Sequence, residues 1–208
     1  MTKLCFYLDV MSPYTYLAWK VLCRYRSLWE LDVVLKPFHL GAIMKHSGNA
    51  PPATIPGKAQ FLFSDLTRSA KWYGIESVFQ HMPTNFFAAL PGLSSKVNRI
   101  LAATNDWKLV DAAFTLIWES PKYRDSENAF VASEASFIAD MFALAEMKYP
   151  NDLDALIASG KAIVMKNTQE ALDFGAFGAP VFHFPELKDS RIFFGSDRWE
   201  QMAFLLAK

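Results

Sequence analysis

"FYLDVMSPYTYLAW", residues 6–19, runs from an apolar stretch through the turn Ser12-Pro13-Tyr14-Thr15 into an amphipathic pattern. Ser12 stands where a helix N-cap belongs, since its hydroxyl can accept from the orphan N–H groups of a first turn, and Pro13 suits the first helical position. Leu17, Val21 and Leu22 follow at helical spacing. Upstream, "KLCFYLDV" (3–10) predicts a buried strand; downstream, the β-branched "LDVVLKPFHL" (31–40) predicts another. Strand, helix and strand make a βαβ unit, a crossover that is nearly always right-handed between parallel strands.

Working outward, "SGNAPPATIPG" (47–57) reads as a long loop from its Gly, Asn and Pro content. From 58 to 173 the patterns turn helical: "KAQFLFSDLTRSAKWYG", "LSSKVNRILAATND", "WKLVDAAFTLIWES", "ENAFVASEASFIADMFALAEM", "DLDALIAS" and "KAIVMKNTQEALDFG". The tail returns to strands, "APVFHF" and "RIFFG" about a turn through "PELKDS", and closes with a helix over "SDRWEQMAFLLAK". The expected fold is α/β: a βαβ-ββα domain over 1–57 and 174–208, interrupted by an all-helical insertion over 58–173.

The 208 residues suffice for a sizeable core, and 21 Lys+Arg balance 21 Asp+Glu, so no global field draws nucleic acid or an anionic membrane. No apolar run approaches the roughly 18 to 20 residues a spanning helix needs. Hydrophobic residues still make up 52%, an excess that suits a buried oligomer interface. Cys5 and Cys23 lack disulfide-framework or metal spacing and read as small buried hydrophobes, and no metal site is expected. The strand pattern begins at once, leaving no readable signal or transit peptide, and Leu206-Ala207-Lys208 is not a peroxisomal address of the S-K-L type; the expectation is an intracellular protein.

Ser12 admits two readings. A serine before a helix caps it; the same helix end also stabilises an anion, a thiolate included. Serine hydrolase chemistry has little support, because no G-x-S-x-G elbow surrounds Ser12 and none of His39, His46, His81 and His183 is spaced as its base. Likewise Trp107, Phe114 and Trp118 read as core.

Taken in order, "FYLDVMSPYTYLAW", "GAIMKHSGNAPP", "YGIESVF", "FGAFGAPVF" and "FFGSDRWEQMAFLL" resemble the kappa class of glutathione transferases over nearly the whole chain. That class belongs to the thioredoxin superfamily, beside DsbA-like proteins and 2-hydroxychromene-2-carboxylate isomerases. The resemblance implies a thioredoxin-like domain with a DsbA-like helical insertion, and a transferase for detoxification that conjugates glutathione to electrophiles such as aryl halides, with a peroxidase side activity. Two alternatives stand beside it: a glutathione-dependent isomerase of the chromene-carboxylate type, and a non-catalytic glutathione-binding thioredoxin-like protein.

For the residues, the resemblance implies that Ser12 and Thr15 replace the two cysteines of a redox CxxC, with Ser12 donating a hydrogen bond to the glutathione thiolate and Pro13 and Tyr14 beside it. It further implies a cis Ala179-Pro180 bond whose Ala179 backbone pairs with the cysteinyl portion, and Ser196 with Asp197 for the γ-glutamyl group. Asn49 and Lys58 would meet the glycyl carboxylate, and Asp65 a glutathione held by a partner subunit. Glutathione is the implied co-substrate, a homodimer the implied assembly, and mitochondria or peroxisomes the implied compartments.

Overall fold

The computed structural model describes residues 1–75, 83–187 and 192–207. Residues 76–79 of the "YGIESVF" stretch, His81, the end of the "PELKDS" turn with Arg191, and Lys208 lie outside the described residues.

Strand β1 (Thr2–Leu8) leads into helix α1 (Pro13–Leu28), and β2 (Leu31–Pro37) returns parallel to β1 in the register Thr2 to Leu31 through Leu8 to Pro37. Helix α2 (Leu40–Ser47) follows where the strand and loop expectations met. Pro37 ends β2 three residues early, and the next segment turns helical with the His39 ring accepting from Ala42 N–H at 3.3 Å, a cap that eight residues with an internal Gly do not advertise. The helical stretch holds α3 (Pro56–Trp72), α4 (Phe86–Thr104), α5 (Trp107–Phe114) running into a π-helical turn over Thr115–Glu119, α6 (Glu134–Leu144) and α7 (Leu153–Asp173). Strands β3 (Val181–His183) and β4 (Ile192–Phe194) are antiparallel to their neighbours, and α8 (Trp199–Leu206) closes the chain. Sheet order is β2-β1-β3-β4.

Two helical expectations are corrected. Residues 127–133 are not helical: the Asp125 carboxylate accepts from the N–H groups of Glu127 and Ala129 at 2.9 Å each, Asn128 takes a left-handed φ of 58°, and Asn85 clasps Phe130 through both its N–H and its carbonyl. Short polar side chains have captured the backbone before a helix could. Conversely, "DLDALIAS" and "KAIVMKNTQEALDFG" form the single helix α7, continuous through Gly160. A Cβ at Gly160 would lie 1.9 Å from the Arg99 carbonyl oxygen, so the glycine lets α7 touch the backbone of α4.

The main core runs from β1 and α1 through α4, α5 and the π-helical turn, with Phe6, Trp19, Phe114 and Trp118 fully buried. Burial of one such side chain contributes about 2–3 kcal/mol. The C-terminal half of α7 is fastened to the other face of the sheet by Asn167, which donates to the Pro37 carbonyl at 2.9 Å, and by Glu170, which receives Lys36 and Tyr7. Cys5 is buried as expected; Cys23 is exposed, because the face of α1 that carries it opens on a cleft between α1, α5 and the end of α6. Among the described residues no helix is long and apolar enough to cross a membrane.

Candidate active site

Asp9 to Ser12 carry the chain from β1 into α1. Ser12 N–H donates to the Asp9 carbonyl at 3.1 Å, and Ser12 Oγ accepts from Thr15 N–H at 3.2 Å, the capping bond that the sequence calls for. Among the described residues no protein acceptor takes the Ser12 hydroxyl proton, so this nearly buried group keeps a donor to offer at the positive end of α1. Among the described residues Thr15 Oγ1 finds no hydrogen-bond partner although it is buried. No thiol stands in this turn.

Facing the turn is the segment Phe177–Val181, whose Ala179–Pro180 peptide is cis. Among the described residues none pairs with the Ala179 N–H or C=O, which leaves an open stretch of backbone there. Two contacts set this wall. Asn49 donates from its amide to the Phe177 carbonyl at 2.8 Å, tying the loop after α2 to it, and the Phe194 ring packs against Gly178, where a Cβ would stand 2.7 Å from it.

Between turn and wall lie two chambers. The larger, about 530 Å³, takes its walls from Met11, Leu40, Met44, Pro51–Pro52, Leu62 and Pro91, with Ser12 and Asn49 as polar groups at its edge. Its described lining carries no charged side chain. The smaller, about 220 Å³, is polar: Asp65, Ser69, Gly195, Ser196, Asp197 and Arg198. Tyr14, Ala179 and Phe194 line both.

In the polar chamber Tyr14 donates its phenol to Asp65 Oδ2 at 2.8 Å, and burial, that bond and the nearby Asp197 charge all push the phenol's pKa up. Tyr14 therefore acts as a neutral donor and not as a phenolate. Asp65 thus meets a residue of its own chain here. Gly195 takes φ +105°, and a Cβ on it would meet Asp197 Oδ1 at 2.8 Å, so only glycine lets the Asp197 carboxylate fold back over the bend. The Ser196 carbonyl accepts from Tyr73 OH at 2.8 Å and from the Trp199 indole at 2.7 Å. The expected helix start at Ser196 is corrected: α8 starts three residues later, flanked by Arg198 and without a side-chain cap, because the bend at Gly195 uses up Ser196 and Asp197.

Ser12, Pro13, Tyr14, Asn49 and Ala179 therefore line the apolar chamber, Ser196 and Asp197 line the polar one, and buried Pro180 sits behind them. Lys58 lines neither; it is exposed in the first turn of α3. Sequence reasoning passed over Asp9, Asn98, Gly178 and Phe194. Asp9 left a trace, an acid inside an apolar run. Its carboxylate accepts from Met11 N–H at 3.2 Å and Leu40 N–H at 3.0 Å; burial pushes its pKa up, against the hydrogen bonds from Leu40, Asn98 and Met11. Among the described residues no cluster of three His, Cys, Asp or Glu side chains is placed to hold a metal.

A mixed sheet in the order β2-β1-β3-β4, with a helix-capped turn facing a cis-proline and helices inserted between the two halves of the sheet, defines a thioredoxin-type protein. Residues 3–207 match the family described as the DSBA-like thioredoxin domain. Two solved structures share the fold: a 2-hydroxychromene-2-carboxylate isomerase (TM-score 0.76, 21% identity, 99% of this chain and 94% of that one) and a probable DsbA oxidoreductase of Streptomyces coelicolor (0.64, 16%, 100% and 89%). In sequence the chain is 32% identical to glutathione S-transferase kappa 2 of Caenorhabditis elegans over 98% of its length and 91% of the relative's, and 29% identical to glutathione S-transferase kappa 1 of Rattus norvegicus over 96% and 88%. The chain belongs to the kappa glutathione transferases of the DsbA-like thioredoxin family.

Proposed function

We propose that this protein binds glutathione across the two chambers and conjugates its thiolate to apolar electrophiles of the aryl-halide kind. The observation that carries the reading is the Ser12 hydroxyl, its proton taken by no acceptor among the described residues, at the N-terminus of α1 and in the wall of an apolar chamber that shares Tyr14 and Ala179 with a polar one. Ser196 and Asp197 receive the γ-glutamyl carboxylate and ammonium. The open backbone of Ala179 pairs with the cysteinyl peptide, placing sulfur beside Ser12. Asn49, already bonded to Phe177, shapes the wall; the assignment of Lys58 to the glycyl carboxylate rests on the family resemblance alone.

In the reaction the thiol loses its proton to solvent, and the thiolate is held by the Ser12 hydroxyl and the helix end. It then attacks the electrophilic carbon; the C–S bond forms and the halide leaves with its electron pair. The protein contributes ionisation and placement and forms no covalent intermediate. A lowering of one to two pKa units, about 1.4 kcal/mol each, suffices to ionise much of the bound thiol at neutral pH.

A chamber lined by methionine, leucine and proline, without a charged side chain in its described lining, suits a neutral acceptor better than a chromene carboxylate, and this favours transfer over isomerisation. A homodimer, a mitochondrial or peroxisomal site, peroxidase turnover and a detoxifying role are further proposals from the family. The test is conjugation of glutathione to 1-chloro-2,4-dinitrobenzene by wild type and Ser12→Ala. Wild type should consume thiol in step with product, and Ser12→Ala should lose about 10- to 100-fold in kcat. Isomerisation with no thiol consumed, or full activity in Ser12→Ala, sinks the reading.

A further inference from the structure

Val10 lies between β1 and the Ser12 turn, and both of its peptide groups are held by side chains of the helical layer. Its N–H donates to Asn98 Oδ1 of α4 at 3.4 Å, and its carbonyl accepts from the Trp118 indole, in the π-helical turn, at 3.0 Å. Asn98 is itself buried and donates onward to the Phe38 carbonyl at 3.2 Å, so one amide joins the exit of β1 to the exit of β2. Trp118 is fully buried edge-on against Phe86. A π-helical turn displaces side chains from α-helical register, and such turns gather at functional sites; this one delivers an indole N–H to the residue two positions before Ser12.

We propose that Asn98 and Trp118 are positioning residues for Ser12: the helical layer grips Val10 by both peptide groups and so fixes the Ser12 hydroxyl against the Ala179 wall. Backbone outside the ladder needs such partners, because a buried peptide group without one costs about 1–3 kcal/mol. Neither residue touches a chamber. Their effect passes through the position of Ser12, so it falls on thiol ionisation and kcat and not on glutathione affinity. The inference rests on the transferase reading, but the grip itself does not.

Trp118→Phe removes the indole N–H and keeps a ring against Phe86. Trp19→Phe is its matched control, since it deletes another short indole bond, to Asp111 of α5 at 2.8 Å, which does not hold Val10. In Trp118→Phe the pH profile of kcat should move up by about one unit, with roughly tenfold lower turnover on its acid limb and less than a twofold change in KM for glutathione. Trp19→Phe should keep the wild-type profile. Asn98→Leu repeats the test should Trp118→Phe fail to fold. Hydrogen exchange on wild-type protein needs no variant: the Val10 amide should exchange only through global unfolding. A Val10 amide that exchanges freely, or a folded Trp118→Phe whose profile matches that of Trp19→Phe, overturns the proposal. Wild type that fails to ionise glutathione while Val10 stays protected sinks the transferase reading instead.

Discussion

The two chambers share Tyr14, Ala179 and Phe194 yet differ in nearly everything else. The apolar one draws on six separate parts of the chain, and its lining from Leu40 to Pro91 is built from packing. The polar one is dominated by one contiguous bend, Gly195 to Arg198, with Asp65 and Ser69 reaching in from α3. A polar subsite can be concentrated in a short motif because hydrogen bonds are local and directional. An apolar subsite is a gap between packed elements, so no single motif encodes it.

Breaking the partition should have the largest effect. Gly178→Ala pushes Phe194 off the wall that borders both chambers, so kcat/KM should fall more than tenfold and stability by about 2 kcal/mol, read from steady-state kinetics and urea melts. Full activity in this variant would show that Phe194 does not divide the site. Next, Asp197→Asn acts on the polar side alone, raising KM for glutathione about tenfold while KM for the electrophile holds. If both constants rise together, the chambers are not independent. Met44→Arg then sharpens the apolar side: a cation there should improve turnover of carboxylate-bearing acceptors over neutral ones by about three- to tenfold in competition assays.

The smallest effect lies outside both. Burial opposes the Glu170 carboxylate, but the Lys36 and Tyr7 hydrogen bonds outweigh it and hold its pKa below the usual value. With the folded-state pKa lowered, the unfolded chain binds more protons in acid. The contribution is therefore full above about pH 4.5 and fades below it. Glu170→Gln should cost about 1 kcal/mol at pH 7, flatten the acid limb of the stability curve, and leave conjugation unchanged. A Glu170→Gln chain that keeps the wild-type acid limb would remove Glu170 as its source.

Much of the fold was legible because its elements announce themselves locally. Ser12 and Pro13 mark the start of α1, and the apolar runs mark β1 and β2. Helix α2 was missed, since its cap is a histidine ring and its partner is the Asp9 carboxylate, 31 residues away in sequence. The loop over 127–133 was misread because its polar captures by Asp125 and Asn85 outweigh a weak helical period. Of the residues lining the chambers, Ser12, Asn49, Ala179, Ser196 and Asp197 are picked out through the family resemblance, while Phe194 and Gly178 carry no local signature. Their significance is one steric contact between neighbouring segments of the folded chain.

The sequence by itself determined that a hydroxyl, and no thiol, stands at the capped end of α1, because helix capping and residue chemistry are local. Tertiary structure alone decided what that hydroxyl faces. The Ala179 wall, the acid of Asp9 under the turn and the grip of Asn98 and Trp118 on Val10 all join residues far apart in the chain. Only packing, which lies beyond the reach of local periodicity, brings them within hydrogen-bond distance.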